Sequence, residues 1–174
     1  MGHVIWTMDE VIKALPDQET FWLSDCACRE EKGNKCNKGI RMCLGFSEKS
    51  TSTPNNRGPI NKKEMRELLK FARAEELVPR PWINDEGKVT AVCLCCPCCC
   101  DYILGKPGEV NVAGPSIEST DMALCAACGS CVDVCYFGAR KLVDGILKVD
   151  KTRCYGCGLC VDACAANVVK MVPR

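Results

Sequence analysis

Apolar positions recur at helical spacing in two stretches of the first half of the chain. Residues 7–15 open with a capping-box pattern and run as a short amphipathic segment until Pro16. A second capping box, at Asn61 and Glu64, opens the strongest helical pattern, which we expect to end before Pro79. The apolar positions of this second helix are Met65, Leu68, Leu69 and Ala72. We expect these four side chains to pack in a core.

Turn-forming residues divide the rest of the chain. Residues 82–92 contain an Asn-Asp-Glu-Gly turn between two apolar runs and predict a hairpin. Residues 47–59 are rich in Ser, Thr, Asn and Pro and predict a mobile loop or a linker. The segment 105–115 predicts a domain boundary. The expected fold class is α+β, with a small cysteine-rich domain over 1–110, containing one or two helices and the hairpin, and a second domain over 111–174.

The chain has 18 cysteines, about a tenth of its residues, and this content indicates a specific kind of protein. Its first residues lack the continuous apolar run of a signal peptide, so we expect a cytoplasmic protein with reduced thiols. Many cysteines in that setting indicate metal sites rather than disulfides. No apolar run reaches the roughly 18–20 residues that cross a bilayer, so no membrane is expected. The formal charge of +1 gives no indication of nucleic-acid binding.

Eight cysteines in the second half form a duplicated pattern. Residues 125–135 and 154–164 each have the spacing C-x2-C-x2-C-x3-C. Zinc modules also use C-x2-C pairs, and a tetrahedral zinc ion needs four ligands. Each run here instead has three cysteines in close series, with the fourth after three further residues. The repeated run is typical of bacterial proteins with [4Fe–4S] clusters.

On these residues, the segment 117–174 resembles the dicluster ferredoxins of the clostridial type. The resemblance implies a pseudo-two-fold βαββαβ-type fold that binds two [4Fe–4S] clusters. In that family the fourth cysteine of each run binds the cluster of the other run. The ligand sets implied are Cys125, Cys128, Cys131 and Cys164 for one cluster and Cys154, Cys157, Cys160 and Cys135 for the other. The chain departs from the family at Tyr136 and Ala165, where a proline is usual.

Three glycines lie inside the two cysteine loops, and we include them in the cofactor-binding set. Small residues allow backbone N–H groups to approach cluster sulfurs, and such hydrogen bonds influence the reduction potential. These glycines are Gly129, Gly156 and Gly158.

Four cysteines of the first half are the right number for a third tetrathiolate site. They are Cys26, Cys28, Cys36 and Cys43. Alternate residues of an extended segment point the same way, so Cys26 and Cys28 are expected to hold one centre. Arg29 follows directly and is a candidate to donate to a sulfur or to balance the charge of the site. Both zinc and an iron–sulfur cluster suit four thiolates, and we favour iron–sulfur.

A run of six cysteines follows the predicted hairpin. They are Cys93, Cys95, Cys96, Cys98, Cys99 and Cys100. Neighbours in this run project in different directions, so not all six can bind one cluster. The interpretations are a further site, ligation shared with the first four cysteines, and some free buried thiols. Adjacent cysteines such as Cys95 and Cys96 also resemble the paired-cysteine motifs of heterodisulfide reductase catalytic subunits, without the long spacings of that family.

The whole arrangement resembles multi-cluster ferredoxin-like proteins of strict anaerobes. We therefore expect an electron carrier, or the carrier subunit of an anaerobic oxidoreductase, with a redox protein as partner and no catalytic residues. The cofactors expected are two [4Fe–4S] clusters and one or two further iron–sulfur clusters or a zinc ion. One alternative is an enzyme whose first-half cluster binds and reduces a disulfide or sulfur compound. The other is a zinc-stapled scaffold fused to a ferredoxin.

Overall fold

The structure, a computed structural model, describes residues 3–34, 36–50, 56–105 and 111–174. Within these residues the chain is a mixed α/β protein with mostly antiparallel sheets and six α-helices. The elements up to residue 105 are β1 (His3–Val4), α1 (Met8–Ala14), β2 (Thr20–Ser24), α2 (Ala27–Glu31), β3 (Cys43–Gly45), β4 (Gly58–Asn61), α3 (Lys62–Ala74), β5 (Val78–Ile83), β6 (Val89–Cys95) and α4 (Asp101–Leu104).

The elements after residue 110 are shorter. They are β7 (Asn111–Val112), β8 (Ser116–Thr120), α5 (Ser130–Asp133), β9 (Arg140–Val143), β10 (Ile146–Val149), a 3-10 turn (Lys151–Arg153), α6 (Leu159–Asp162) and β11 (Val169–Pro173). Strand β8 pairs with β11 and β9 pairs with β10, both antiparallel. Along the chain, α5 lies between β8 and β9, and α6 lies between β10 and β11.

Both predicted helices and their capping boxes are confirmed. In α1, Thr7 and Glu10 exchange two hydrogen bonds of 2.7 and 3.1 Å between backbone N–H groups and side-chain oxygens. In α3, Asn61 and Glu64 make the same exchange. Helix α3 ends before Pro79 because the chain reverses at Glu76, whose φ is +56°.

A five-stranded antiparallel sheet, in the order β4-β2-β3-β6-β5, organises the first half. The predicted hairpin is confirmed as β5 and β6, which are longer than the apolar runs suggested. Two prolines, Pro79 and Pro81, lie in β5, an edge strand where a missing N–H donor is tolerated. One face of the sheet packs against α1 and α3 in a core that includes Met65, Leu69 and Ala72.

The predicted loop over 47–59 is partly wrong, because Gly58 and Pro59 belong to β4 and pair with β2. Residues 51–55 of that loop, and residues 106–110 of the predicted boundary, lie outside the described residues.

The two halves share a core. Strands β1 and β7, from opposite sides of residue 110, pair in parallel, and the N–H of Ile5 donates to the carbonyl of Val112 at 3.0 Å. A second hydrophobic cluster combines Val78 and Ile5 with Val134 and Tyr155. The longest described helix, α3, has 13 residues, and none of the described helices has the length and apolarity needed to cross a bilayer.

Candidate metal centres

One cavity of the second half is lined by four cysteines from two distant loops. They are Cys125, Cys128, Cys131 and Cys164. The first three come from the loop and first turn of α5, and Cys164 follows the end of α6. Leu142, Leu147 and Val169 supply apolar walls. We call this cavity 1.

A second cavity is lined by the complementary four cysteines, with Phe137 and Tyr155 beside them. These cysteines are Cys135, Cys154, Cys157 and Cys160. We call it cavity 2. Burial raises the pKa of Cys157 to about 12 and of Cys160 to about 11, and the charges of the other cysteines of the set add to both shifts. A bound metal favours the thiolate form of such groups, so uptake of the metal releases protons.

The loop glycines shape the backbone around the sulfurs. Gly129 and Gly158 have φ values of +89° and +81° and immediately precede α5 and α6. The next residue in each case provides the donor: a backbone hydrogen bond from Ser130 lowers the pKa of Cys128. Leu159 makes the equivalent backbone hydrogen bond to Cys157. The glycines therefore act through the N–H groups that follow them.

A buried arginine lies between the two cavities. Arg140 is 3% exposed, and its Nη1 donates to Cys131 Sγ of cavity 1 at 3.3 Å. Its charge also favours the thiolate of Cys160 in cavity 2. On its other side, Nη2 pairs with the buried carboxylate of Glu118 at 2.5 Å. Nothing in the cysteine spacing indicates Arg140 or Glu118, because their approach to the sulfurs depends on the pairing of β8 and β9 with other strands.

The first half contains a compact set of four thiols, which we call the turn thiols. They are Cys36, Cys96, Cys98 and Cys99, whose Sγ atoms all lie within 4.8 Å of one another. Cys36 Sγ is 3.6 Å from both Cys96 Sγ and Cys99 Sγ. Ligands of a tetrahedral zinc ion, each about 2.3 Å from the metal, are about 3.8 Å apart, so the turn thiols have the dimensions of a single-ion site.

A tight turn after β6 brings three of these thiols together. The N–H of Cys100 donates to the carbonyl of Cys96 at 3.1 Å and closes the turn. Burial opposes ionisation of Cys36, but the backbone N–H of Lys38 and the neighbouring thiols lower its pKa to about 7. Cys36 is therefore more readily ionised than Cys98, whose pKa burial raises to about 12.

The structure groups the first-half cysteines differently from the predicted third site. Cys36 belongs to the turn thiols, whereas Cys26, Cys28 and Cys43 lie with Cys93. The reason is topological, since β3 pairs with β6 and the chain between α2 and β3 carries Cys36 away from its sequence neighbours. The turn thiols thus combine one cysteine of the first cysteine-rich segment with three of the second, which agrees with the interpretation that the two segments share a site.

Arg29 is buried beside the turn thiols, with an exposed fraction of 1%. It donates to the carbonyl oxygens of Gly39 at 2.9 Å and Leu94 at 3.1 Å. Burial opposes its charge, but a hydrogen bond to Cys96 and the charge of Cys26 raise its pKa. Arg29 therefore both anchors the loop before β3 and provides positive charge near the thiols.

Comparison with known proteins gives no match. No protein-family model, curated protein or solved structure matches the chain. Its cysteine groups indicate a metal-binding protein, and the kind of metal centre follows only from the chemistry of the residues themselves.

Proposed function

We propose that the chain transfers single electrons through iron–sulfur clusters, as a carrier or as the carrier subunit of a larger redox system. The observation that carries the proposal is the composition of the two cavities of the second half. Each is lined by three cysteines of one C-x2-C-x2-C-x3-C run and by the fourth cysteine of the other run. This exchange of the fourth cysteine is typical of two-cluster ferredoxins.

The residues around the cavities suit a cubane cluster. Four thiolates are the ligands that a [4Fe–4S] cluster takes, and such a cluster supplies one-electron oxidation and reduction. Backbone N–H groups and Arg140 donate to the sulfurs, and apolar walls such as Phe137 exclude water. The chain contains one histidine, so little proton-transfer chemistry accompanies these sites. The site chemistry supports electron transfer without a bound substrate.

The turn thiols support an added structural role. Their sulfurs all lie within 4.8 Å of one another, and Cys36 Sγ is 3.6 Å from two of them, so the set suits one tetrahedral ion, zinc or iron, better than a cubane. The zinc-stapled scaffold is therefore our second candidate for the first half, and it is compatible with electron transfer by the second half.

The first experiment counts metal and sulfide in the full-length chain, purified without oxygen. The two second-half clusters require about eight irons and about eight sulfides per chain, four of each per cluster. EPR spectra of the reduced protein are expected to show two interacting [4Fe–4S] centres. Zinc in place of iron in both cavities would overturn the proposal.

A second experiment tests the exchange of ligands. We expect Cys131→Ser and Cys164→Ser to alter the EPR signal of the same cluster, and Cys135→Ser and Cys160→Ser to alter that of the other. If Cys164→Ser instead matched Cys160→Ser, each run would hold its own fourth ligand and the assignment would be wrong.

A third experiment measures electron transfer directly. Reduced protein should hold about one electron in each of these two clusters and return them to a one-electron acceptor. The double variant Cys98→Ser/Cys99→Ser is the matched control, because it removes two of the turn thiols without touching either cavity. A control variant that lost this capacity would place the redox centres at the turn thiols instead.

A further inference from the structure

Six cysteines lie apart from the turn thiols and outside the two cavities, and three of them, on β3 and β6, project to one face of the five-stranded sheet. We call the six the sheet-face thiols. They are Cys26, Cys28, Cys43, Cys93, Cys95 and Cys100. Cys43 of β3 stands opposite Cys93 of β6, and paired residues of neighbouring strands project to the same face. Cys95, two residues further along β6, projects to that face as well.

Electrostatic interactions link these thiols to one another. Cys43 and Cys95 both influence the pKa of Cys93, and Cys100 influences that of Cys95. Cys28, in the first turn of α2, interacts electrostatically with Cys93 and Cys100. The sheet and the starts of α2 and α4 therefore enclose the group from different directions.

Arg80 of β5 reaches into the same group. It stands opposite Cys93 in the strand register and is 4% exposed. Its Nη1 lies 3.7 Å from Cys95 Sγ and 3.6 Å from Cys100 Sγ. Its Nε and Nη2 atoms are buried without a hydrogen-bond partner, and the groups with the largest influence on its pKa, apart from burial, are cysteine sulfurs.

A second donor approaches from the same strand. The indole Nε1 of Trp82 lies 3.1 Å from Cys93 Sγ. The face of the Tyr102 ring lies 4.2 Å from the Arg80 guanidinium carbon and adds a cation–π contact. Arg80 and Trp82 thus direct N–H groups at three sulfurs of the group.

Sulfurs are the groups that Arg80 meets, and the charges that act on it most come from Cys95, Cys100 and Cys93. A buried guanidinium without a carboxylate partner is costly, because burial removes its hydration, and a thiolate replaces more of that hydration than a neutral thiol does. Thiolates that bind a metal centre keep their negative charge, and an iron–sulfur cluster held by four thiolates is anionic as a whole. A bound centre of this kind would pair with Arg80 and occupy its free N–H donors.

We propose that the sheet-face thiols hold a third iron–sulfur cluster of cubane size, with Cys28, Cys93, Cys95 and Cys100 as ligands and Arg80 as its buried counter-cation. Within the described residues, only the turn thiols have sulfurs all within 4.8 Å of one another, so the sheet-face thiols are spread more widely than a single ion requires. Cys26 and Cys43 lie beside the proposed ligands. The proposal adds a redox centre to the proposed function and does not depend on the turn thiols.

The third cluster would adjoin cavity 2. Cys95 and Cys100 belong to the hydrophobic cluster that also contains Phe137 and Tyr155, which line that cavity. Cys157 of cavity 2 packs at the edge of the same cluster. An electron that leaves one reduced centre can be taken up by the other across this shared core, and the exchange needs no further reactant.

The experiment compares two double variants of the full-length chain, purified without oxygen. We expect Cys95→Ser/Cys100→Ser to lose about a third of some twelve irons and the same share of the sulfide, since one of three cubanes is lost. The EPR signals of the two second-half clusters should remain. The control, Cys98→Ser/Cys99→Ser, should lose no sulfide. Unchanged iron and sulfide in Cys95→Ser/Cys100→Ser would overturn the proposal.

The reduction potential of Arg80 variants is an independent measurement, because loss of packing alone would not change it. We expect Arg80→Met to lower the equilibrium constant for one-electron reduction of the third cluster about tenfold, which is a decrease of about 59 mV in its potential. Arg80→Lys should restore the potential. Unchanged potentials in Arg80→Met would rule out the counter-cation role. A wild-type chain with only about eight irons and two normal second-half clusters would refute the third cluster and leave the proposed function standing.

Discussion

Gly114 lies against the backbone carbonyl of Ile5, with no space between them for a Cβ atom. The N–H of Gly114 donates to the carbonyl of Tyr155 at 3.0 Å, so this one residue contacts the first strand and the loop that carries Cys154 and Cys157. The cysteine-rich first half and the two-cavity second half are thereby joined by backbone contacts as well as by a shared core.

We expect Gly114→Ala to destabilise the protein by about 2 kcal/mol, because the added methyl group displaces the Ile5 carbonyl or the Tyr155 loop. Thermal unfolding of the metal-loaded protein measures the effect. Gly87→Ala is the control, since a Cβ there meets nothing within 4 Å and only the φ of +77° costs about 1 kcal/mol. Equal effects of the two substitutions would show that the contact at Gly114 relaxes freely.

Arg140 is expected to raise the potential of the centre in cavity 1. A cation that donates to Cys131 Sγ at 3.3 Å favours the more negative, reduced state. Loss of about 1.4 kcal/mol of this preference in Arg140→Met would lower the one-electron potential by about 59 mV. A redox titration followed by EPR measures the change.

Lys141→Met is the matched control for this substitution, because Lys141 is the next residue of β9 and is exposed. It removes the same charge without removing a donor to sulfur. A shift of similar size in both variants would mean that Arg140 acts only through the overall charge of the protein.

We expect the free energy of unfolding to depend on pH through the ionisation of Glu118. Burial raises the pKa of this carboxyl, but hydrogen bonds from Lys151 and Thr120 and the charge of Arg140 outweigh it, so the pKa lies below the ordinary value of 4.5. The stabilisation is therefore present above that value and is lost as the pH falls through the lowered pKa. Glu118→Gln should cost about 3 kcal/mol at neutral pH, because it leaves Arg140 buried without its anion.

The measurement compares thermal midpoints of Glu118→Gln and the wild type over a series of pH values. The gap should be widest near neutral pH and should narrow below pH 4.5. Lys151→Met is the control and should cost less than about 1 kcal/mol, since the Lys151 side chain is 53% exposed. A gap that stayed constant into acid would contradict ionisation of Glu118.

Arg29 is expected to be needed for metal retention by the turn thiols. In Arg29→Met the carbonyls of Gly39 and Leu94 lose their buried donors, at a cost of about 3 kcal/mol for the pair. The loop that carries Cys36 then loosens, and a chelator should remove metal faster from the variant. Arg66→Met, an exposed change on α3, should leave the rate unchanged, and equal rates for both variants would contradict the anchoring role.

Local patterns predicted a large part of the fold. The capping boxes at Thr7 and Asn61, and the turn before Lys88, identified α1, α3 and the β5–β6 hairpin, because caps and turns depend on hydrogen bonds between residues a few positions apart. Prediction failed at Gly58 and Pro59, whose strand exists only through pairing with distant β2.

Cysteine spacing, together with the resemblance to dicluster ferredoxins, predicted the eight residues that line the two cavities of the second half. Repeated spacing places three thiols of each run on one short loop, and the fourth follows the next helical turn at a fixed distance. Local spacing therefore groups the three neighbouring thiols of each run, whereas the exchange of the fourth cysteine was implied by the resemblance and depends on the packing of two loops that lie far apart in the chain.

The division of the other ten cysteines into two groups depends on contacts between distant segments. Cys36 joins the turn after β6, while Cys43 stands opposite Cys93 across a strand pair. Arg80 reaches the sheet-face thiols through the β5–β6 register. Strand register and burial arise from contacts between residues far apart in the chain, so no local spacing encodes them.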